Sequence, residues 1–85
     1  MITKTITIGL NDGLEASPTA LLVQKACQYT SKIYLEIDDN KKVNAKSIMG
    51  MMTLGLNAGE EVIVSADGED EETAIVEIEK FLTKQ

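Results

Sequence analysis

Two side chains with anion chemistry stand at predicted helix starts. Glu15 lies just before Ser17 and Pro18, and Ser47 lies just before a short apolar segment. Serine is a common N-cap residue and proline is common in the first helical turn. Free backbone N–H groups and the helix dipole favour negative charge at such a place. One start therefore carries a fixed carboxylate, and the other carries a neutral hydroxyl that can cap the helix.

Other chemistry is scarce in this chain. It has no histidine, which removes the usual general base, the usual metal ligand and any phosphohistidine. Cys27 is the single cysteine, which excludes an internal disulfide, indicates a reducing compartment and predicts a small packing residue on a helix. Because no metal or nucleotide motif is found either, we predict a protein that is not an enzyme and has no cofactor and no metal.

Composition narrows the class of protein and its partners. The 85 residues are 44% hydrophobic and 26% charged, as in one small folded domain spanning residues 1–85. The net charge of -6 argues against nucleic acid or an anionic membrane as partner and favours a partner with a basic face. No leader and no apolar run of membrane-spanning length is found, so we expect a cytoplasmic protein.

Hydrophobic periodicity predicts seven elements in the order β-α-β-β-α-β-α. The strands are predicted at 2–8, 32–37, 42–45 and 61–66, and the helices at 18 to about 30, 48–54 and 70–83. Four strands and three helices in this order predict an α+β fold, in which helices cover one face of a mainly antiparallel sheet. Two acidic groups are interpreted as solvated surface charges and helix-start charges. They are Glu60 and Glu61, before and at the start of the fourth strand, and Glu69, Asp70, Glu71 and Glu72, at the start of the last helix.

Buried faces follow from the same periodicity. The first helix is predicted to bury one arc of its surface, and the last helix is predicted to bury an apolar stripe. The first set is Thr19, Leu22, Val23, Ala26, Tyr29 and Thr30. The second set is Ala74, Ile75, Ile78, Phe81 and Leu82. In the short helix between them, Met51 and Leu54 are predicted to turn inward.

Three segments resemble the HPr family, the phosphocarriers of the bacterial sugar phosphotransferase system. GLEASPTALLVQ (13–24) is similar to the HPr active-site segment, and VNAKSIMGMMTLGLNAGEEV (43–62) is similar to the segment around the family's regulatory serine. DGEDEETAI (67–75) resembles the start of the last HPr helix. The chain is identified as a member of this family, which implies an open-faced β-sandwich.

Two positions depart from the HPr pattern. Glu15 stands where HPr has its phosphorylated histidine, and Ser17 stands where it has an arginine that contacts partners. Without an imidazole, the chain is not competent for histidine phosphoryl transfer, and it resembles the Crh-like branch of the family, which also lacks that histidine. Glu15 either complements a helix dipole, worth roughly 0.3–1 kcal/mol, or mimics a permanent phosphohistidine and makes the protein a decoy in the phosphotransferase system.

Ser47 keeps its family setting, Asn44 to Gly50. The resemblance implies phosphorylation of Ser47 by an ATP-dependent HPr kinase/phosphorylase. It also implies that the phosphorylated chain acts in carbon catabolite repression, as corepressor of a LacI-type catabolite control protein. The simpler alternative is that Ser47 only caps the short helix, which would stabilise it by about 1 kcal/mol.

An apolar docking face is predicted around Ser47. It would consist of Ile48, Met49 and Met52, bordered by Ala20, Leu21, Gln24 and Cys27 from the first helix. Surface methionines adapt to partners of different shape. The alternative is that Ile48 and the methionines belong to the core. The predicted assembly is a monomer with a possible strand-swapped homodimer, because a short first strand is followed by a loop at Gly9–Gly13.

Overall fold

The computed structural model describes residues 1–9, 16–37, 41–53 and 59–83, with the backbone alone at residues 16–18. Its elements are β1 (Ile2–Thr7), α1 (Ala16–Ala26), β2 (Lys32–Ile37), β3 (Lys41–Asn44), α2 (Ile48–Met52), β4 (Glu61–Asp67) and α3 (Glu71–Thr83). The strands form one sheet in the order β1-β4-β2-β3, and these neighbours pair antiparallel. The predicted α+β fold and element order are confirmed.

Alternation along the strands builds the covered face of the sheet. Residues two apart point to the same side of a strand, so β2 and β4 each send a row of apolar side chains toward the helices, and β1 contributes Ile6. The largest of these that are buried are Ile6, Ile33, Leu35, Val62 and Val64, and Ile8 follows β1. The helices complete the core with Leu22, Val23, Ala26, Met51, Ala74, Ile75, Ile78 and Leu82. Ile37 and Phe81 are partly buried and pack against this core.

The first helix is shifted from its predicted bounds at both ends. It begins at Ala16, so Ser17 lies inside the helix and not at its N-cap. It ends at Ala26, because the N–H groups of Gln28 and Tyr29 bond three residues back, at 3.1 and 3.2 Å, and tighten the chain into a turn. Thr30 is consequently exposed, so the prediction that it belongs to the buried arc is wrong.

The turn after α1 is fixed by Asp70, which lies just before α3. The Asp70 carboxylate accepts backbone N–H bonds from Thr30 at 2.9 Å and Ser31 at 3.0 Å, together with a short bond from the Ser31 hydroxyl. Ser31 is fully buried, and Gly68 lies against it so closely that a Cβ at position 68 would come within 2.7 Å of the Ser31 Cα. The interpretation of Asp70 as a simple helix-start charge was incomplete, because it joins two loops distant in sequence.

Protonation of Asp70 is expected to loosen this junction. The Ser31 hydroxyl and the Thr30 N–H favour the charged carboxylate and lower the pKa of Asp70 from 3.8 to about 2. A lowered pKa in the folded state gives stability that is complete above about pH 3.8 and is lost as the pH falls toward about 2. In Asp70→Asn, the free energy of unfolding should therefore depend less on pH in this range than it does in the parent protein. Denaturant titrations at several pH values across the range measure this dependence. Equal slopes for Asp70→Asn and the parent protein would contradict this role, and Glu69→Gln, an exposed neighbour, is the control.

The remaining boundaries lie close to those predicted. Strand β3 begins one residue earlier than predicted, and α2 ends at Met52. The predicted loop at 10–13, the turn at 38–40, Leu54 and Lys84 lie outside the described residues. Among the described helices, none combines the length and the apolar character needed to cross a membrane.

Candidate functional site

Ser47 is exposed and lies at the N-cap of α2. Its backbone is extended, with φ -104° and ψ 110°, and its Oγ accepts a hydrogen bond from the Gly50 N–H at 3.4 Å. Because Ser47 is exposed, its hydroxyl is accessible from solvent. The first turn of α2 contains no acidic residue, so no carboxylate of the helix itself would repel an added phosphate.

Two lysines hold α2 and its N-terminal flank in place. Lys41 Nζ donates to the Thr53 carbonyl at 2.6 Å, at the C-terminal end of the helix, where a cation is favoured. Lys46 Nζ donates to the Tyr29 carbonyl at 2.7 Å, which ties the residue before Ser47 to the turn after α1. Asn44 accepts from the Lys46 N–H at 2.8 Å through its side chain. A helix of only five residues is thus positioned by its surroundings.

Helix α2 has one buried residue, Met51, which serves as its anchor, and an exposed side formed by Ile48, Met49 and Met52. Met51 is fully buried in the core, as predicted. Its neighbours Ile48, Met49 and Met52 are 40%, 81% and 58% exposed. The alternative that these three residues are core is therefore wrong, and an exposed apolar surface borders Ser47.

Helix α1 lies beside α2 and contributes its own exposed residues. Leu21 is 56% exposed, Gln24 is exposed and Ala20 is partly buried. The two helices are in contact, so these side chains belong to adjoining elements. Cys27 was predicted to be a packing residue, but it is exposed and lies directly after the last residue of α1.

Glu15 and Ser17 are the two positions that depart from the HPr pattern. Glu15 lies outside the described residues, and for Ser17 the backbone alone is described, within the first turn of α1. Their interpretations remain predictions.

Sequence reasoning missed the lysine contacts that place Ser47. Lys41 reaches across 12 residues to Thr53, and Lys46 reaches across 17 residues to Tyr29. A lysine near a helix end is a weak sequence signal, and nothing in the pattern identifies its partner. Within the described ranges, no group of three or more acidic or cysteine side chains is arranged to hold a metal ion.

This fold and site define a class of protein: a small open-faced β-sandwich that presents an exposed serine at a short helix, beside an apolar surface. The chain matches the family described as "PTS HPr component phosphorylation site" over residues 2–84. It therefore belongs to the HPr family. It is also 44% identical to the HPr-like protein Crh of Bacillus subtilis (strain 168), over 100% of this chain and 99% of that protein.

Solved structures agree with this assignment. The phosphocarrier protein HPr from Bacillus anthracis superposes with a TM-score of 0.89 at 37% identity, covering 95% of each chain. Crh from Bacillus subtilis superposes with a TM-score of 0.78 at 44% identity, covering 100% of this chain and 97% of that one. That Crh structure is described as an intertwined dimer with a swapped domain.

Proposed function

We propose that this chain is a Crh-like regulatory protein of the cytoplasm and is not an enzyme. In this proposal, an ATP-dependent HPr kinase phosphorylates Ser47, and the phosphorylated chain acts in carbon catabolite repression as corepressor of a LacI-type catabolite control protein. The observation that carries the proposal is the exposed Ser47 beside Ile48, Met49 and Met52, in a chain alike to Crh along its whole length.

In this proposal, the chain supplies the nucleophile at Ser47 and the HPr kinase supplies the general base. The Ser47 Oγ attacks the γ-phosphorus of ATP, the bond to the β-phosphate oxygen breaks, and ADP leaves. The base that takes the hydroxyl proton belongs to the kinase, because this chain has no histidine and α2 has no acid in its first turn.

The product would alter the surface more than the fold. Phosphoserine carries about -1.5 to -2 charges and adds acceptor oxygens. Ser47 is exposed, and the free N–H groups at the start of α2 favour a negative group. Met51 and Lys41 hold the helix from other sides. A partner would therefore contact a new negatively charged phosphate beside the unchanged apolar surface of Ile48, Met49 and Met52.

Two measurements test this function in sequence. The protein is incubated with HPr kinase and ATP, and its intact mass is expected to rise by one phosphoryl group. The phosphorylated form is then titrated into the LacI-type regulator, where it should bind more tightly than the unmodified form. A wild-type mass that does not change would overturn the phosphoacceptor proposal, and equal binding of both forms would overturn the corepressor proposal.

Glu15 motivates a second candidate function. Its carboxylate stands where the family has its phosphorylated histidine, so the chain would act as a decoy that occupies partners of phosphorylated HPr. The chain should then compete with phosphorylated HPr for an enzyme IIA domain, and Glu15→Gln should abolish that competition. Competition that survives Glu15→Gln would exclude phosphate mimicry. In either case, incubation with enzyme I and phosphoenolpyruvate should leave the protein unmodified.

We also propose that the protein exchanges between a monomer and a strand-swapped homodimer. Strand β1 is held by its pairing with β4, by an ion pair of Lys4 with Glu79 at 2.8 Å, and by a bond from the Gly9 N–H to the Leu82 carbonyl at 2.8 Å. Each of these contacts can form equally well with a second copy, so swapping loses none of them.

Sedimentation velocity at two concentrations tests this assembly. The dimer fraction should rise with protein concentration, and dilution should restore the monomer slowly, because β1 must leave β4 before it can return. Lys4→Ala is expected to speed the exchange without a large change in the equilibrium, since the Lys4–Glu79 pair is present in both forms. A single monomeric species at both concentrations would contradict the proposal.

A further inference from the structure

We propose that Met49 and Met52 form a peroxide-sensitive modification site whose oxidation switches off docking at Ser47. The site itself follows from burial and chemistry, whereas its regulatory effect rests on the function proposed above. The oxidant that modifies this site belongs to the hydroperoxides, of which hydrogen peroxide is the simplest member.

Exposure selects two sulfur atoms of α2 and protects the third. Met49 is 81% exposed and Met52 is 58% exposed, while Met51 between them is fully buried. Residues three apart lie on neighbouring positions of a helix surface, so Met49 and Met52 form one exposed pair. An oxidant in solution reaches this pair without any opening of the core.

The reaction is a balanced transfer of one oxygen atom. The thioether sulfur attacks one oxygen of the peroxide, the O–O bond breaks, and that oxygen becomes the sulfoxide. With hydrogen peroxide, the second oxygen leaves as water after taking up the proton that the attacked oxygen carried. The sulfur loses two electrons and the peroxide is reduced by two. Methionine sulfoxide reductases reverse the change, with electrons from a dithiol.

The change should spare the fold and alter the docking face. Helix α2 is held by the buried Met51, by Lys41 at its end and by the Ser47 cap, and none of these contacts uses the sulfur of Met49 or Met52. A sulfoxide, however, places a polar oxygen in a surface that a partner must dehydrate. Leaving such a group without a hydrogen bond is expected to weaken docking by about tenfold.

The first experiment measures where oxygen is added. The full-length protein, as a Cys27→Ser variant because that thiol is also exposed, is treated with hydrogen peroxide and mapped by peptide mass spectrometry. Sulfoxide should form at Met49 and Met52 at least about tenfold faster than at Met51, whose reaction requires the core to open. The thermal unfolding midpoint should change little. Comparable rates at Met51 and Met49, or unfolding that accompanies oxidation of the pair, would overturn the proposed site.

The second experiment measures the effect on Ser47. The initial rate of phosphorylation by HPr kinase is compared between treated and untreated samples of each variant, so that every variant is its own reference. In the Cys27→Ser background, treatment should lower the rate by about tenfold. Adding Met49→Leu and Met52→Leu should bring the ratio of treated to untreated rates to one, and adding Met51→Leu should leave the loss in place.

The two proposals fail in distinguishable ways. If the untreated protein accepts no phosphoryl group, the proposed function fails and the peptide map alone decides whether the pair is a modification site. If the untreated protein is phosphorylated and the oxidised pair leaves its rate unchanged, the switch is overturned and the proposed function stands. Recovery of the rate after treatment with methionine sulfoxide reductase would support the switch.

Discussion

Ser47→Ala should accept no phosphoryl group from HPr kinase under conditions in which the wild-type chain accepts one. The effect is expected to be all or none, because the modification requires the Ser47 oxygen as nucleophile and alanine has no oxygen to replace it. Intact mass after incubation with ATP and kinase measures it directly. A variant that still gains a phosphoryl group would place the acceptor elsewhere in the chain.

Loss of phosphorylation must be separated from loss of structure. Ser47→Ala also removes the N-cap of α2, which is expected to cost about 1 kcal/mol and should leave the protein folded. Thr53→Val is the matched control, because Thr53 is an exposed hydroxyl residue directly after the same helix, and its Oγ1 donates to the Gly50 carbonyl. Thr53→Val should be phosphorylated to the wild-type level, and circular dichroism should show both variants folded.

Met51→Ala should destabilise the protein by about 2–5 kcal/mol, the usual cost of truncating a fully buried methionine. Met51 is the buried residue of a five-residue helix that is too short to be stable alone. Its side chain is therefore the apolar contact that attaches α2 to the core. Urea titration of the free energy of unfolding gives the magnitude, and hydrogen exchange of the α2 amides shows whether the loss is concentrated there.

Met52→Ala provides the comparison for that result. The substitution is chemically the same, one position along, but Met52 is 58% exposed, and surface substitutions usually change stability by less than about 0.5 kcal/mol. Equal destabilisation by both variants would contradict the division of α2 into an anchor and an exposed side.

Much of the fold could be predicted because its signals are local. The alternation in Ile33, Leu35 and Ile37, and the helical spacing of Ile75, Ile78 and Leu82, depend only on near neighbours in sequence. Element ends were less predictable. Helix α1 was predicted to run to about Thr30, but it stops at Ala26, where the following turn is held by a carboxylate 40 residues further along.

In the candidate site, too, local features could be predicted from the sequence and long-range contacts could not. Ser47 could be predicted as an N-cap, and Met51 could be predicted as inward-facing, from a serine followed by an apolar segment. Cys27 was predicted to be a packing residue from its type alone, but it is exposed. The contacts of Lys41 and Lys46 could not be predicted, since flexible lysine side chains can reach many carbonyls and only the folded chain selects one.

By itself, the sequence determined the order of the elements, the apolar face of each, the absence of an imidazole and the position of the candidate phosphoacceptor. These are properties of residue type and short-range spacing. Tertiary structure alone decided that Thr30 is exposed, that Lys41 bonds to the Thr53 carbonyl, and that Asp70 closes the turn at Ser31. The physical reason is that exposure and long-range hydrogen bonds depend on which surfaces meet, and that is settled only when the helices dock on the sheet.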